Sequence, residues 1–337
     1  MKRLTLVLLA AVALIALGGC GSSNLSSPSS SNPNVGDATL TSILPLDQSD
    51  DPLASGMLGG TDSGPDETVD GAPGLLPGSA MLQDVLPDSS RILWWRKVTS
   101  FTTNFSKSGT PDSVFVVAQR TNTGQFLGLV HLAHPRRDSL LYRKDYQMSW
   151  TRSAIYTKQP VPTANCEENT HWLLKSLTLA DGVTPGVSSP AISRVVVSGN
   201  GQSGPTSVTF DDPTKMYQPG SLPLFQIGDS ILVQVFTDGS DANQRAFIHF
   251  DIAASDKGRT WRRPMAYNPA TGAFEGSFVV REGWGKNHFG MVRPRSAVWV
   301  DVLSKATIYD TTAPYAANCW GVPYRLFRHQ GDGLALN

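Results

Sequence analysis

Apolar and polar positions alternate along much of the chain after residue 90, and this alternation predicts β-strands. Between Tyr142 and Lys158 the apolar residues share one parity, which is typical of a strand with one buried face. Those residues are Tyr142, Tyr146, Met148, Trp150, Ala154 and Tyr156. We therefore expect a sheet that packs on one side only.

Two apolar runs precede this strand, at residues 113–121 and 125–133. Asn122-Thr123-Gly124 separates them, and a short segment ending in glycine is typical of a three-residue hairpin turn. The segment His171–Leu179 predicts a closing strand, and Asp181-Gly182 after it predicts a turn. These elements predict a β-rich domain over residues 91–182.

The pattern continues beyond a linker rich in Pro, Gly and Ser at residues 183–190. About seven short strands with turn residues between them predict an antiparallel sandwich at residues 191–328, followed by a tail at 329–337. The predicted strands are Ile192–Ser198, Thr206–Phe210, Ser230–Thr237, Ala246–Ile252, Gly272–Val280, Ser296–Ser304 and a last segment near Trp320–Phe327.

Two resemblances accompany this prediction of a mainly β fold. The strands of the second domain resemble those of bacterial immunoglobulin-like modules, without the paired core cysteines of antibody domains. The long strands of the first domain, ending in Trp-Leu-Leu-Lys-Ser-Leu at 172–177, resemble the curved sheet of NTF2-like domains. That second resemblance makes an α+β fold the alternative for residues 91–182.

The amino terminus has the charged, apolar and small-residue order of an export signal. Lys2 and Arg3 precede an apolar run from Leu4 to Leu17, which at 14 residues is too short to span a bilayer as a helix. Leu-Gly-Gly-Cys at 17–20 resembles the lipobox of bacterial lipoproteins, in which the cysteine carries the lipid. We therefore expect residues 1–20 to be a lipoprotein signal peptide and Cys20 to be the lipid attachment site. The alternative is an ordinary signal peptide with an unmodified Cys20.

The residue after the cysteine bears on location. Gly21 follows Cys20, at the position where an aspartate would resemble an inner-membrane retention signal. The expectation is an outer-membrane lipoprotein that faces the periplasm or the cell surface.

Charge is distributed unevenly, although the formal net charge is zero. Residues 21–90 contain ten acidic and no basic side chains, whereas residues 91–337 contain 26 basic and 18 acidic ones, a net charge of +8. The composition of 21–90 is typical of a disordered acidic linker, which we call the acidic segment. A basic body favours anionic neighbours such as lipid headgroups, acidic glycans or the acidic segment itself, and export makes nucleic acid an unsuitable partner.

Two cysteines remain after Cys20. In an oxidising compartment Cys166 and Cys319 are expected to form a disulfide, provided that they lie close enough in space. The alternative is two separately buried thiols.

A cluster of cations and indoles follows the middle strands of the second domain. Arginine guanidinium groups, which bind anions through two hydrogen bonds, and the faces of tryptophan rings suit an anionic glycan or lipid phosphate. The candidate ligand-binding residues are Arg259, Trp261, Arg262, Arg263, Trp284 and Lys286. The alternative is a solvated loop whose arginine stems cover apolar edges.

No catalytic motif emerges from the sequence. The glycine spacing at 199–204 matches a dinucleotide fingerprint, but Pro205 and a strand-like run follow instead of a helix, so a hairpin is expected. His131 and His134 would face opposite sides of a strand, which disfavours a shared metal. We expect no cofactor and no metal.

Three hypotheses of function remain. The leading one is a lipid-anchored, non-enzymatic interaction or scaffolding protein of the cell envelope. The second is a binding protein for an anionic envelope glycan or lipid, and the third is an enzyme with an unrecognised site in the first domain. The implied partners are the membrane, through the lipid anchor, and an envelope protein or anionic glycan.

Overall fold

The protein is described by a computed structural model over residues 91–131, 139–161, 169–201, 204–251, 260–280 and 295–327. The strands are β1 (Arg91–Thr110), β2 (Ser113–His131), β3 (Ser139–Val161), β4 (Asn169–Leu177), β5 (Ala180–Val183), β6 (Ile192–Gly201), β7 (Gly204–Phe210), β8 (Leu224–Gln226), β9 (Ser230–Thr237), β10 (Gln244–Asp251), β11 (Thr260–Pro264), β12 (Ala266–Asn268), β13 (Ala273–Val279), β14 (Arg295–Ser304) and β15 (Ala317–Phe327). A 3-10 turn spans Pro219–Ser221, and one α-helix, α1, spans Lys305–Tyr309.

The strands form two sheets, so the predicted mainly β fold is confirmed. The large sheet has the order β1-β2-β3-β5-β15-β14-β10-β11, with β4 also paired to β3 and β8 paired in parallel to β15. The small sheet has the order β12-β13-β9-β6-β7. In the described part of the chain no helix is long and apolar enough to cross a bilayer.

The alternation along residues 142–158 is confirmed, because β3 buries the six apolar residues of that parity. The seven strands predicted after residue 190 correspond to β6, β7, β9, β10, β13, β14 and β15. The hairpin expected around residues 199–204 is also present, since β6 pairs with β7 up to Gly201 and Gly204. Regular alternation therefore identified most of the regular strands.

The hairpin predicted at residues 122–124 is wrong. Residues 113–131 form one continuous strand, and the turn lies at Pro111 and Asp112, between β1 and β2. Gly124 lies opposite a bulge in β1 between Val98 and Ser100, where a Cβ on Gly124 would come within 2.0 Å of the Lys97 carbonyl oxygen. The glycine is required by the bulge of the neighbouring strand and does not mark a turn.

The turn predicted at Asp181-Gly182 is wrong for a similar reason. Both residues lie within β5, which pairs with β3 on one side and β15 on the other. A Cβ on Gly182 would lie 2.5 Å from the indole ring of Trp150. The glycine therefore makes room for a buried tryptophan in the middle of a sheet.

Two cores flank the centre of the large sheet. The first, which we call the inter-sheet core, lies between the two sheets and includes Val298, Val300 and Val302 of β14. The second, the aromatic core, lies on the opposite face of β14 and includes Trp299 and Leu303. Because successive side chains of a strand point to opposite faces, β14 contributes to both cores and is buried on both sides.

The long strands β2 and β3 extend through both cores, and in each strand the same face packs into both. Val114, Val116 and Ala118 of β2 belong to the inter-sheet core, whereas Phe126, on the same parity, belongs to the aromatic core. On β3, Ala154 and Tyr156 pack into the first core, while the tyrosines, the tryptophan and the methionine of the first half pack into the second.

The large sheet curls until its first and last strands meet. In a flat sheet β1 and β11 would lie roughly 34 Å apart, at about 4.8 Å for each of seven steps. Instead, Nη1 of Arg262 on β11 donates to the carbonyl oxygen of Trp94 on β1 at 3.4 Å. Trp94 also packs edge-on against Phe247 of β10, with ring centroids 5.1 Å apart. Side chains therefore bring the two ends of the sheet together.

Strands from both predicted domains share the large sheet, because β5 lies between β3 and β15. The division at residues 183–190 stays a prediction. The one described α-helix follows β14 in the sequence, after all the strands for which an NTF2-like fold was the alternative. Residues 1–90 and 328–337, which hold the predicted signal peptide, acidic segment and tail, lie outside the described residues.

Candidate functional site

Four charged or titratable side chains from four strands meet inside the aromatic core, and we call them the charge cluster. They are Arg96 of β1, His249 of β10, Arg262 of β11 and Asp301 of β14. All are buried, with Asp301 completely inaccessible. Arg96 forms an ion pair with Oδ2 of Asp301, and Nε2 of His249 lies 3.3 Å from the same oxygen.

Aromatic rings surround the two guanidinium groups. The guanidinium carbon of Arg262 lies 3.6 Å from the ring centroid of Trp94, and that of Arg96 lies 5.4 Å from it. The same carbon of Arg96 lies 5.8 Å from the ring of Tyr146 and 5.5 Å from that of Tyr315. Ring faces carry partial negative charge, so they stabilise cations that have left water.

Asp301 is held as an anion by its neighbours. Burial alone would raise the pKa of this carboxyl, but Arg96, His249 and Arg262 together lower it below the ordinary value. Asp301 thus balances buried cations contributed by strands from the two ends of the sheet.

His249 links the carboxylate to the second arginine. Its Nε2 lies 3.3 Å from Nε of Arg262, which donates to it, and at the same distance from Oδ2 of Asp301. An unprotonated Nε2 accepts from Arg262, and a protonated Nε2 donates to Asp301. Nε2 of His249 therefore has a hydrogen-bond partner whether or not it carries a proton, which suits a structural role in the charge cluster.

A polar cleft of about 680 Å³ opens beside the aromatic core. Its walls are β3, the segment after β5 and the segment between α1 and β15. Tyr146 and Tyr315, whose rings lie near Arg96, are among its lining residues, so the cleft borders the aromatic residues around the charge cluster. Most other lining groups are threonine hydroxyls or charged side chains. They include Thr99, Thr123, Arg143, Lys144, Thr184 and Thr312.

Lys144 fixes one wall of the cleft. Its Nζ donates to the carbonyl oxygen of Ala306 at 2.9 Å and to that of Asp310, at the carboxyl end of α1. The hydroxyl of Tyr142 donates to the carbonyl oxygen of Ile308 in the same helix. Burial lowers the pKa of Lys144 to about 8, and the nearby Asp310 carboxylate opposes that shift.

The arginines predicted to bind an anion are separated by the strand on which they lie. Arg262 points inward and belongs to the charge cluster, whereas Arg263 is exposed on the other face of β11. Trp261 lies between Thr260 and Arg262 on the same strand. Arg259, Trp284 and Lys286 lie outside the described residues. The structure therefore does not place Arg262 and Arg263 on one surface.

The cysteines can be followed only in part. Cys319 is buried in β15, opposite Asp301 of β14, and packs into the aromatic core. Cys20 and Cys166 lie outside the described residues, so the lipid anchor and the disulfide stay predictions.

Sequence reasoning missed Arg96, Lys144 and Asp301. A signal was present, because each is a charged residue on the apolar parity of its strand: Arg96 between Trp94 and Val98, Lys144 between Tyr142 and Tyr146, and Asp301 between Trp299 and Leu303. A charge at such a position must be buried with a partner.

The described residues contain no group of His, Cys, Asp and Glu side chains that could hold a metal ion. The cleft offers hydroxyl, amide, carboxylate and guanidinium groups, which suit hydrogen bonding to a polar partner. No protein-family model matches the chain, no curated protein matches it, and no solved structure matches its fold.

Proposed function

We propose that this chain is a lipid-anchored protein of the cell envelope that acts by binding a partner at the polar cleft. The order of residues 2–20 supports the anchor. The cleft itself is the observation that supports the binding role, since it is concave, presents both polar and apolar groups, and is of the size that ligand sites have.

The walls of the cleft are suited to binding because they are held in place before any partner arrives. Lys144 and Tyr142 tie β3 to α1, and Thr184 ties the opposite wall to β15 through its backbone N–H and the carbonyl oxygen of Ala317, 3.1 Å apart. A preorganised surface loses little conformational entropy on association.

Lys144 is the feature that favours the alternative of an enzyme. An amine with a pKa of about 8 inside a cleft is a candidate base or nucleophile. Its Nζ, however, already donates to two carbonyl oxygens of α1, so the structural role accounts for its burial. Trapping with an aldehyde and borohydride separates the two roles, since we expect no covalent adduct at Lys144 under native conditions.

The binding role is tested by photo-cross-linking in cells. A photoreactive phenylalanine analogue replaces Thr312, which is exposed beside the cleft, and in a control strain it replaces Ser207, which is exposed on the small sheet. We expect cross-links to another envelope molecule from position 312 and few from position 207. Equal yields at both positions would contradict a role for the cleft.

The anchor is tested separately by feeding cells a labelled fatty acid. The wild-type chain should take up label and Cys20→Ala should not. Equal labelling of both proteins, or none in either, would remove the anchor from the proposal.

The glycan hypothesis can be tested at one residue. Arg263 is exposed, whereas Arg262 belongs to the buried charge cluster. Arg263→Ala therefore tests binding of an acidic glycan without disturbing the core, and unchanged, salt-insensitive binding would count against that hypothesis.

A further inference from the structure

One edge of β3, over residues 139–148, pairs with none of the described strands. On that side β5 pairs with Ser149–Thr151 and β4 pairs from Ala154 onward, while no described strand pairs with residues 139–148. The pairing of β5 with β3 ends after Val183. The N–H of Thr184 donates to Ala317 of β15, and the next residue, Pro185, has no N–H to donate to β3.

The direction of the backbone groups of β3 follows from two hydrogen bonds. The carbonyl oxygen of Ser153 accepts from Thr178, on the side away from β2, and the N–H of Lys158 donates to Asp112, on the side of β2. Backbone groups alternate between the two sides of an antiparallel strand. The odd-numbered residues Arg143, Asp145 and Gln147 therefore direct their N–H and C=O groups toward the unpaired edge.

This edge borders the polar cleft. Arg143, Asp145 and Gln147 of β3 line it, as do Thr184, Pro185, Val187 and residues 311–315, and it also extends to Thr99, Thr123 and Gly124 of β1 and β2. Part of the cleft therefore lies beside β3 where a longer β5 would have paired. An exposed edge is a template for an added strand, and charged side chains such as those of Arg143 and Asp145 limit indiscriminate pairing.

We infer that this edge takes an extended polypeptide strand and that the occupant is residues 37–44 of the acidic segment. The inference rests on the proposed function in that it uses the same cleft. Residues 37–44, Asp-Ala-Thr-Leu-Thr-Ser-Ile-Leu, contain no Gly or Pro, include residues that favour strands, and are followed by Pro45. Eight extended residues, about 26 Å long, fit within the ten residues of this edge.

The acidic segment can reach the cleft. Asp145 pairs with Gln125 of β2, which pairs with Lys97 of β1, and Lys97 is six residues after Arg91. The distance from Asp145 to Arg91, where the acidic segment joins the fold, is therefore roughly 22 Å. A flexible coil between Leu44 and Arg91 spans roughly 37 Å. Connection to the body also gives the segment an effective concentration of about millimolar.

Charge favours this occupant over a neutral one. The acidic segment has ten acidic and no basic side chains, and the body from residue 91 onward has a net charge of +8. Opposite charges attract the segment to the body, and backbone pairing would then fix its register. The bound segment would compete with an external partner for the cleft.

The test uses the purified full-length protein in detergent, with the photoreactive residue at position 312. We expect intramolecular cross-links that map by mass spectrometry to residues 37–44. Gln147→Pro removes one N–H from the free edge and none from the pairing with β2, and should lower the yield about fivefold, as expected for one backbone hydrogen bond. Ile43→Pro should lower it similarly.

Two control variants make the result specific. Gln147→Ala keeps the backbone N–H, and Thr68→Pro places a proline elsewhere in the acidic segment, so both should leave the yield unchanged. Cross-links spread evenly over residues 21–90, or a yield unaffected by Ile43→Pro, would overturn the inference. Cross-links only to other molecules would also overturn it while supporting the proposed function, and the absence of any cross-link in either experiment would contradict both.

Discussion

The two cores of this protein are held together by different physics, although one strand, β14, supplies both. Its even residues place three valines in the inter-sheet core, and its odd residues place Trp299, Asp301 and Leu303 in the aromatic core. The inter-sheet core joins two hydrogen-bonded sheets by burying apolar surface, which is non-directional. The aromatic core instead joins β1 to strands that are not its neighbours, through the charge cluster.

This difference suggests how each core responds to change. Apolar cores tolerate substitution when volume and pattern are kept, whereas a buried ion pair depends on both partners. We therefore expect nearly isosteric changes on the two faces of β14 to have unequal effects.

The largest effect is expected for Asp301→Asn. This change leaves the buried cations of Arg96 and Arg262 without their anion, and the loss of one partner of a buried ion pair costs about 3–5 kcal/mol. Urea unfolding, followed by tryptophan fluorescence, measures it. Asp145→Asn, at an exposed position on β3, is the control and should change the free energy of unfolding by no more than about 0.5 kcal/mol.

Asp301→Asn also isolates the contribution of Asp301 to the pH dependence of stability. The pKa of Asp301 is lowered in the folded state, so its contribution is present above the ordinary pKa and is lost as the pH falls through the lowered one. The wild-type protein should lose this contribution in acid, and Asp301→Asn should have none to lose. Parallel acid profiles of the two proteins would contradict the role of Asp301.

A smaller effect is expected from Lys144 at alkaline pH. Its pKa falls from 10.5 to about 8 on folding, so the unfolded chain binds more protons between these values. The free energy of unfolding should rise with pH across this window, by at most about 3 kcal/mol. Lys144→Met should lack this rise, and a wild-type stability that falls relative to the variant over the same range would contradict the burial of an ammonium here.

The smallest effect is expected on the valine face. Val300→Thr is nearly isosteric and introduces one hydroxyl into the inter-sheet core, which costs about 1–3 kcal/mol when it finds no partner. Unfolding in urea under the conditions used for Asp301→Asn gives the comparison. A larger loss for Val300→Thr than for Asp301→Asn would reverse the contrast between the cores.

The sequence predicted the strands better than their connections. Alternation located β3 and seven later strands because one-sided burial requires it. It failed at Gly124 and Gly182, because a glycine required by a bulge or by Trp150 has the same local signature as a turn. That ambiguity is resolved only by the neighbouring strand, which lies elsewhere in the sequence.

The candidate site was harder to predict, since its members are distant in sequence. Arg96 and Asp301 are 205 residues apart, and no local spacing relates them. The charge on the apolar parity of β1, β3 and β14 indicated buried ions but could not pair them. The Arg-Arg dipeptide at 262–263 suggested one binding surface, although adjacent residues of a strand face opposite ways.

Hydrogen exchange in the native state tests most directly whether the charge cluster holds the ends of the large sheet together. In Asp301→Asn, amides of β1 and β11 should lose protection at lower free energy than amides of β6 and β9 in the small sheet, whereas the wild-type protein should protect both groups. Equal loss of protection in all four strands, or unchanged protection of β1, would contradict this account of the fold.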